Sequence, residues 1–315
     1  MKINRALLIT CITIALIGGC KKEESDDTPA PTPPTSTTPP VLLELFADNV
    51  AAATQSFTMT AAVGGEVIAD QGTRLDFEPG AFLHANGTPV IGAVNLKVVE
   101  ALSIGDMIWL NKQTVGNDNG TLKLLRSGGA ISVSATQGGS TLRIAQGGLV
   151  VRIPTTVGDP AMQLFSGSED ADGNMIWSPI DSSSVTVDPG YYVDPYYVFA
   201  ADSLQWINCD YFYSYPSTTT LQSTIPAGQS SDSTQVWIAF PSENAVMQMS
   251  YSTSQTYTTW QVVPVGMQAV IVGLQQTPSG FSSSFTTVTI ASSMSVPMTF
   301  SPTTLTQFEA DVDAL

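Results

Sequence analysis

One histidine, three cysteines and 27 carboxylates are the side chains from which this sequence could build a reactive site. Any Ser-His-Asp or Cys-His device would have to use His84, in Leu83-His84-Ala85-Asn86-Gly87. Its place beside an Asn-Gly turn predicts an exposed hairpin residue instead. Cys11 and Cys20 fall at the very start of the chain and Cys209 stands apart. A zinc site of the usual nitrogen–sulfur type therefore has no ligand set, and neither metal nor cofactor is expected. Paired carboxylates could serve glycoside hydrolysis, but none sits in a recognisable motif. The segment Glu169-Asp170-Ala171-Asp172-Gly173-Asn174 opens like a calcium loop and lacks the downstream bidentate glutamate. A hairpin turn between Leu164-Phe165 and Met175-Ile176-Trp177 explains it better. No catalytic residue is assigned.

Aromatic density is the feature that remains. Tyr191, Tyr192, Tyr196, Tyr197, Phe199, Trp206, Tyr211, Phe212, Tyr213 and Tyr215 fall in one short stretch, ten of the chain's 26 aromatic residues. Such rings either fill a seam between β layers or present a stacking surface to a glycan or protein partner. The candidate ligand surface is Tyr191, Tyr192, Tyr196, Tyr197, Tyr211 and Tyr213. Adjacent tyrosines in an extended chain point to opposite faces, so one ring of each pair should leave the core. Phe212 should point away from Tyr211 and Tyr213 and is the core residue of that trio.

A second kind of chemistry lies at the N-terminus. Met-Lys-Ile-Asn-Arg is followed by an apolar run from Ala6 to Ile17, too short to span a bilayer and the right size for a signal peptide. It ends in Leu16-Ile17-Gly18-Gly19-Cys20, which resembles a lipobox and implies cleavage before Cys20 and lipidation of its thiol. Acyl chains contribute about 0.8 kcal/mol per buried CH₂, so two or three anchor a protein stably. Residues 20–40 carry a Lys-Lys-Glu-Glu-Ser-Asp-Asp run and a Pro/Thr-rich stretch, an extended tether without a core. The acidic run resembles the surface-export signal of Bacteroidota lipoproteins, which implies an outer-membrane location and leaves open whether the body faces the cell surface or the periplasm. With Lys2 and Arg5 removed, nine basic side chains face 27 acidic ones, a formal charge of −18. Such a charge excludes nucleic acid as a partner. The membrane is met through the lipid alone.

The elements that must position these residues are strands. Ile131, Val133 and Ala135, then Leu149, Val151 and Ile153, then Val236, Ile238 and Phe240, then Val270, Val272 and Leu274 all recur at period two. Asn86-Gly87, Asn119-Gly120, Gly138-Gly139, Gly147-Gly148, Asp172-Gly173 and Ser279-Gly280 supply the turns. The fold class is all-β, with one short C-terminal helix that begins at Thr304-Leu305-Thr306-Gln307 and carries Leu305, Phe308, Val312 and Leu315 as its apolar stripe. Val41 to Gln55 is ambiguous between helix and strand. A domain boundary near Pro154 to Pro160 divides the body into residues 41–156 and 157–315. No disulfide is expected to hold it.

Gly64-Gly65-Glu66-Val67-Ile68 and Gly72-Thr73-Arg74-Leu75-Asp76-Phe77-Glu78-Pro79-Gly80-Ala81-Phe82 resemble the ZU5 domain, over roughly residues 57–155. Pro79 stands one place from the family's form of the Pro-x-Gly-Ala turn. The resemblance implies a β-sandwich and, by analogy with eukaryotic relatives, a protein-interaction module. Self-cleavage at His-Phe-Ser, known in some relatives, is not implied, because Gly280-Phe281-Ser282 lacks the histidine. Later stretches at Trp206–Asp210 and Pro264–Met267 look like those of uncharacterised Bacteroidota lipoproteins. Asp202-Ser203-Leu204 and Asp232-Ser233-Thr234 resemble the Bacteroidota O-glycosylation motif, which makes Ser203 and Ser233 candidate acceptors. The sequence reading is thus a non-catalytic, lipid-anchored binding or structural module. The alternative is a surface carbohydrate-processing enzyme or its substrate-binding accessory.

Overall fold

A computed structural model describes residues 38–156, 158–169, 174–180, 184–188, 195–253, 255–259 and 263–315. The segment expected to be a signal peptide, Cys20 and the expected tether as far as residue 37 lie outside these, as do Asp172-Gly173, Tyr191 and Tyr192. The fold is all-β with a few helices.

The first large sheet has eight strands. From its edge the order is Gln55–Thr60, Ala93–Ala101, Thr121–Gln137, Trp206–Phe212, Gln163–Glu169, Met175–Pro179 and Val115–Asp118, with Ser140–Thr141 added beside Thr121–Gln137. Val115–Asp118 also pairs with the start of Thr121–Gln137 through the Asn119-Gly120 turn, so one end of the sheet closes into a ring. The 17-residue strand Thr121–Gln137 takes part in both the open and the closed portions. It manages this through a bulge: the register with Trp206–Phe212 slips between Asn208 and Asp210, opposite Gly128 and Gly129. Gly129 has φ +111°, and a Cβ there would stand 2.8 Å from Leu102 Cδ2, so a glycine is required.

A five-stranded antiparallel sheet, in the order Thr186–Asp188, Tyr196–Ala201, Leu149–Pro154, Arg74–Phe77 and Gly65–Ile68, shares a core with the open portion. Its alternation follows the sequence pattern: Leu75, Phe77, Leu149, Val151 and Ile153 point in, while Arg74, Asp76 and Arg152 point out and the last two pair. Gly64 enters this sheet at φ +66°, where a Cβ would overlap the Phe77 carbonyl. Both sheets continue past position 156, because strands from 163–169, 196–201 and 206–212 are interior members of them.

Two small sheets pair Phe82–Leu83 with Arg143–Ile144 and Thr218–Thr219 with Val263–Pro264, and the remaining strands build two larger ones. One runs Ala245–Gln248, Thr234–Phe240, Gln268–Thr277, Gly280–Thr289 and Ser301–Thr303; the other runs Ser250–Thr253, Thr256–Thr258, Leu221–Thr224 and Met294–Pro297. Val236, Ile238, Phe240 and Ile271 face Tyr257, Leu221 and Val296 across the core between them. The opposite face of the five-stranded sheet carries Trp237, Ala239, Val270 and Val272, and three helices cover it. Helix α1 (Pro40–Ala52) contributes Leu42 and Phe46, α2 (Ile104–Trp109) Met107 and Ile108, and α3 (Leu305–Asp313) Phe308 and Val312. Every residue of Thr234–Phe240 is therefore buried.

The helices have local causes. Ser103 and Asp106 form a reciprocal capping box on α2. Thr304 caps α3 by accepting the Gln307 N–H, while the Gln307 side chain turns away to Asp311. Helix α1 begins at Pro40, where a missing N–H costs nothing. The segment 111–114 then stitches the body together. Asn111 accepts from Trp237 Nε1 (3.1 Å) and Gln248 Nε2 and donates to Thr38 Oγ1 (3.1 Å). Thr114 exchanges bonds with Val246.

Candidate functional site

The aromatic stretch divides into core and surface. Tyr196 and Tyr197 are both buried, at 8 % and 0 % exposure, and so leave the candidate ligand surface. Tyr197 faces the shared core opposite Ile153, and its hydroxyl accepts the Asp159 N–H (2.8 Å). Its neighbour points to the other face, as strand geometry requires, yet is covered there too, where it meets the Arg74 guanidinium. One ring of this pair thus leaves the shared core as expected, but the face it reaches is itself covered, so it presents no ring to solvent.

Tyr211, Tyr213 and Tyr215 behave differently. Phe212 turns inward, edge-on to Phe165 at 5.2 Å, as the alternation predicts. The three tyrosines line up on the other side, with ring centroids 5.9 Å apart for Tyr211–Tyr213 and 4.8 Å for Tyr213–Tyr215. Tyr213 is 40 % exposed, and its two neighbours are half-buried. The Arg126 guanidinium lies 5.8 Å from the Tyr211 ring and 5.3 Å from the Tyr213 ring, close enough for cation–π attraction.

Arg126 joins this ladder to a cleft of about 600 Å³ lined by Ser127, Thr155, Tyr197, Glu243 and Asn244 among others. Its Nε donates to Glu243 Oε2 (2.6 Å), one of its terminal nitrogens donates to the Tyr211 hydroxyl (3.1 Å), and Asp159 lies 3.6 Å away. Burial pulls the Arg126 pKa down, and the hydrogen bond and charge of Glu243 more than reverse it. Asn244 takes up left-handed backbone (φ +47°) and donates to the carbonyls of Leu102 and Ser127, which fixes the cleft wall. At the far end of the ladder a hollow of about 310 Å³ opens between Lys123, Phe212, Tyr213 and Tyr215. The Tyr215 hydroxyl is buried without a hydrogen-bond partner, and burial pushes its pKa up.

Beneath the cleft lies a buried polar pair. Asp210, fully enclosed, accepts from Asn208 Nδ2 (2.5 Å), and its Oδ1 has no partner. Burial pushes its carboxyl well above the usual range, against the opposing hydrogen bonds of Ser127, the Gly128 N–H and Asn208. Cys209 points into the shared core with 0 % exposure, free of any disulfide, and burial pushes its thiol up. Neither group meets solvent.

The other sequence candidates lie elsewhere. His84 is half-buried at the hairpin whose tip is Asn86-Gly87. Glu169 pairs with Lys112 (3.1 Å) at the end of a strand that runs antiparallel to Met175–Pro179. Ser203 is half-buried beside Asp202, whose carboxylate accepts the Gly147 N–H. Ser233 closes a short 3₁₀ turn, Ser231–Ser233. Among the described residues no three His, Cys, Asp or Glu side chains gather as metal ligands, and no helix is long and apolar enough to cross a membrane. Arg126, Asp159, Glu243 and Tyr215 were not among the sequence candidates. No protein-family model and no curated protein matches the chain.

Proposed function

We propose that this chain is a non-catalytic outer-membrane lipoprotein, held by lipid on Cys20, whose body binds a protein or glycan partner. In this reading residues 57–155 supply a ZU5-like interaction unit, and the binding surface is the tyrosine ladder with its adjoining cleft. The observation that carries the reading is the ladder itself: Tyr211 near the end of the strand Trp206–Phe212, Tyr213 and Tyr215 just beyond it with their rings in sequential contact, and Arg126 drawn over two of the rings. Rings held by such contacts lose little freedom when a ligand stacks on them, and Tyr and Arg dominate binding hot spots.

Two features favour binding over hydrolysis. Glu243 lines the cleft, but it and Asp159 both pair with the one Arg126 guanidinium, a structural ion cluster and not two carboxylates facing each other across open space. The carboxyl that is pushed strongly upward, Asp210, is sealed beneath the surface.

The test is capture from a glycan panel and from solubilised envelope proteins, comparing the native chain with Tyr213→Ala and the Tyr211→Ala/Tyr213→Ala pair. Loss of one stacking ring should weaken binding by about 2 kcal/mol, roughly thirtyfold. Tyr251→Ala, an exposed tyrosine (41 %) on another sheet, should change nothing. Equal capture by all variants would remove the ladder as the binding surface.

A further inference from the structure

We infer that two copies of this chain pair edge to edge through the strand Gln55–Thr60, independently of the tyrosine surface. The eight-stranded sheet closes on itself at one end, so among the described residues Gln55–Thr60 is the one edge of its main path left open. Native edges are normally protected by charge, proline or a bulge. This one has none of these. From Asn49 to Gly65 the sequence carries no charged side chain, although the chain as a whole has a formal charge of −16. Within the paired register of the neighbouring strand Lys97, opposite Ser56, is the one charged residue, while Glu100 and Asp70 meet only the side chain of Gln55 at the strand's start. The edge is thus where an acidic chain can approach its own copy without meeting its own negative field.

The hydrogen bonding fixes which groups are available. Ala61 N–H donates to the Gly92 carbonyl in the same register that pairs Gln55–Thr60 with Ala93–Ala101. Odd-numbered residues of the strand therefore bond inward, and the backbone groups of Ser56, Thr58 and Thr60 point to the open side. The Thr60 carbonyl is already used by the N–H groups of Val63 and Gly64. Ser56 and Thr58 remain, each with a free donor and a free acceptor.

One two-fold arrangement satisfies all four groups in each copy. With the axis at Phe57, Ser56 of one copy lies opposite Thr58 of the other and the two exchange both bonds. Phe57 then faces its own counterpart. Phe57 and Met59 are half-buried against the shared core, so the pairing extends that core across the axis. Val63, 68 % exposed, sits on the turn that follows the strand, and Ile91, 81 % exposed, lies beside that turn. They would flank the joint.

Sedimentation velocity on the full chain in detergent should give a species of twice the chain mass that dissociates on dilution. Thr58→Pro should yield a folded monomer, since the Thr58 N–H makes no bond within the chain and edge strands accept proline. Thr58→Asp, which keeps the N–H and adds two like charges at the joint, should do the same. Mixing a Ser56→Cys chain with a Thr58→Cys chain should give a disulfide-linked dimer that neither forms alone, because hydrogen-bonded partners have Cα atoms about 5.5 Å apart, within disulfide reach. Buried Cys209 should not interfere. A native chain that stays monomeric overturns the inference and leaves the edge to another protein's strand. A dimer that survives both Thr58 variants with the fold intact, or cross-links of either cysteine variant with itself, overturns it as well.

Discussion

Replacing Asp210 by Asn should make the protein's stability less sensitive to pH, with a sign that the structure dictates. The folded carboxyl is fully enclosed, and burial raises its pKa well above the ordinary value. In the unfolded chain the same group titrates near 3.9. Between these two values the folded protein retains a proton that the unfolded chain has lost, so folding stability falls as pH rises. The slope is about 1.4 kcal/mol per pH unit for one proton, and it ends where the folded carboxyl itself ionises. Asparagine has the same shape, keeps an oxygen for Asn208 Nδ2, and carries no titrating proton. Its amide nitrogen would inherit the place of the unpartnered Oδ1, so near pH 3.5 the two proteins should agree within about 1 kcal/mol. Above that the variant should become progressively the more stable. Urea unfolding at a series of pH values from 3.5 to 7 reads this directly. The difference between the two curves removes Asp313, whose pKa burial also raises, because both proteins share it. The range stops below that of the Cys209 thiol. A difference that stays flat, or that favours the native chain with rising pH, would refute a protonated Asp210 in the fold.

Two other perturbations probe the anchor and the helical cover. Cys20→Ala should release the chain from membranes as a folded soluble body, and a variant that still sediments with membranes after a salt wash would refute lipid as the sole anchor. Phe308→Ala should cost about 3–5 kcal/mol in chemical denaturation, since the ring is fully buried against Trp237, Trp109 and Phe285. A loss below about 1 kcal/mol would mean that α3 is not part of the core.

The β class was legible because its cause is local: period-two alternation and Gly turns appear wherever one face of a strand meets a core. Asn119 and Gly120 both take positive φ, as a tight hairpin at an Asn-Gly pair demands. The C-terminal helix was legible for the same reason, in its cap and its Phe308–Val312 stripe. Helix α2 was missed although Ser103-x-x-Asp106 is a capping signal, because six residues carry too little periodicity. Helix α1 stayed ambiguous since Val41, Leu42, Leu43, Leu45 and Phe46 show no clean stripe; its buried face is set by a sheet formed some two hundred residues later. That same sheet hides its own pattern, for Trp237 and Ala239 are buried on the face that alternation assigns to solvent. At the candidate site the tyrosines were visible as composition. Arg126 and Glu243 were not, since their bond joins positions 117 residues apart and leaves no trace in spacing.

The position of Thr38 has a mechanical consequence. It is 1 % exposed and accepts a hydrogen bond from Asn111, which in turn holds Trp237 and Gln248. Tension arriving along the preceding segment would not be taken up by a loose surface loop. It would first load the buried bond from Asn111 to Thr38, which sits just before the first helix and ties it to the middle of a sheet.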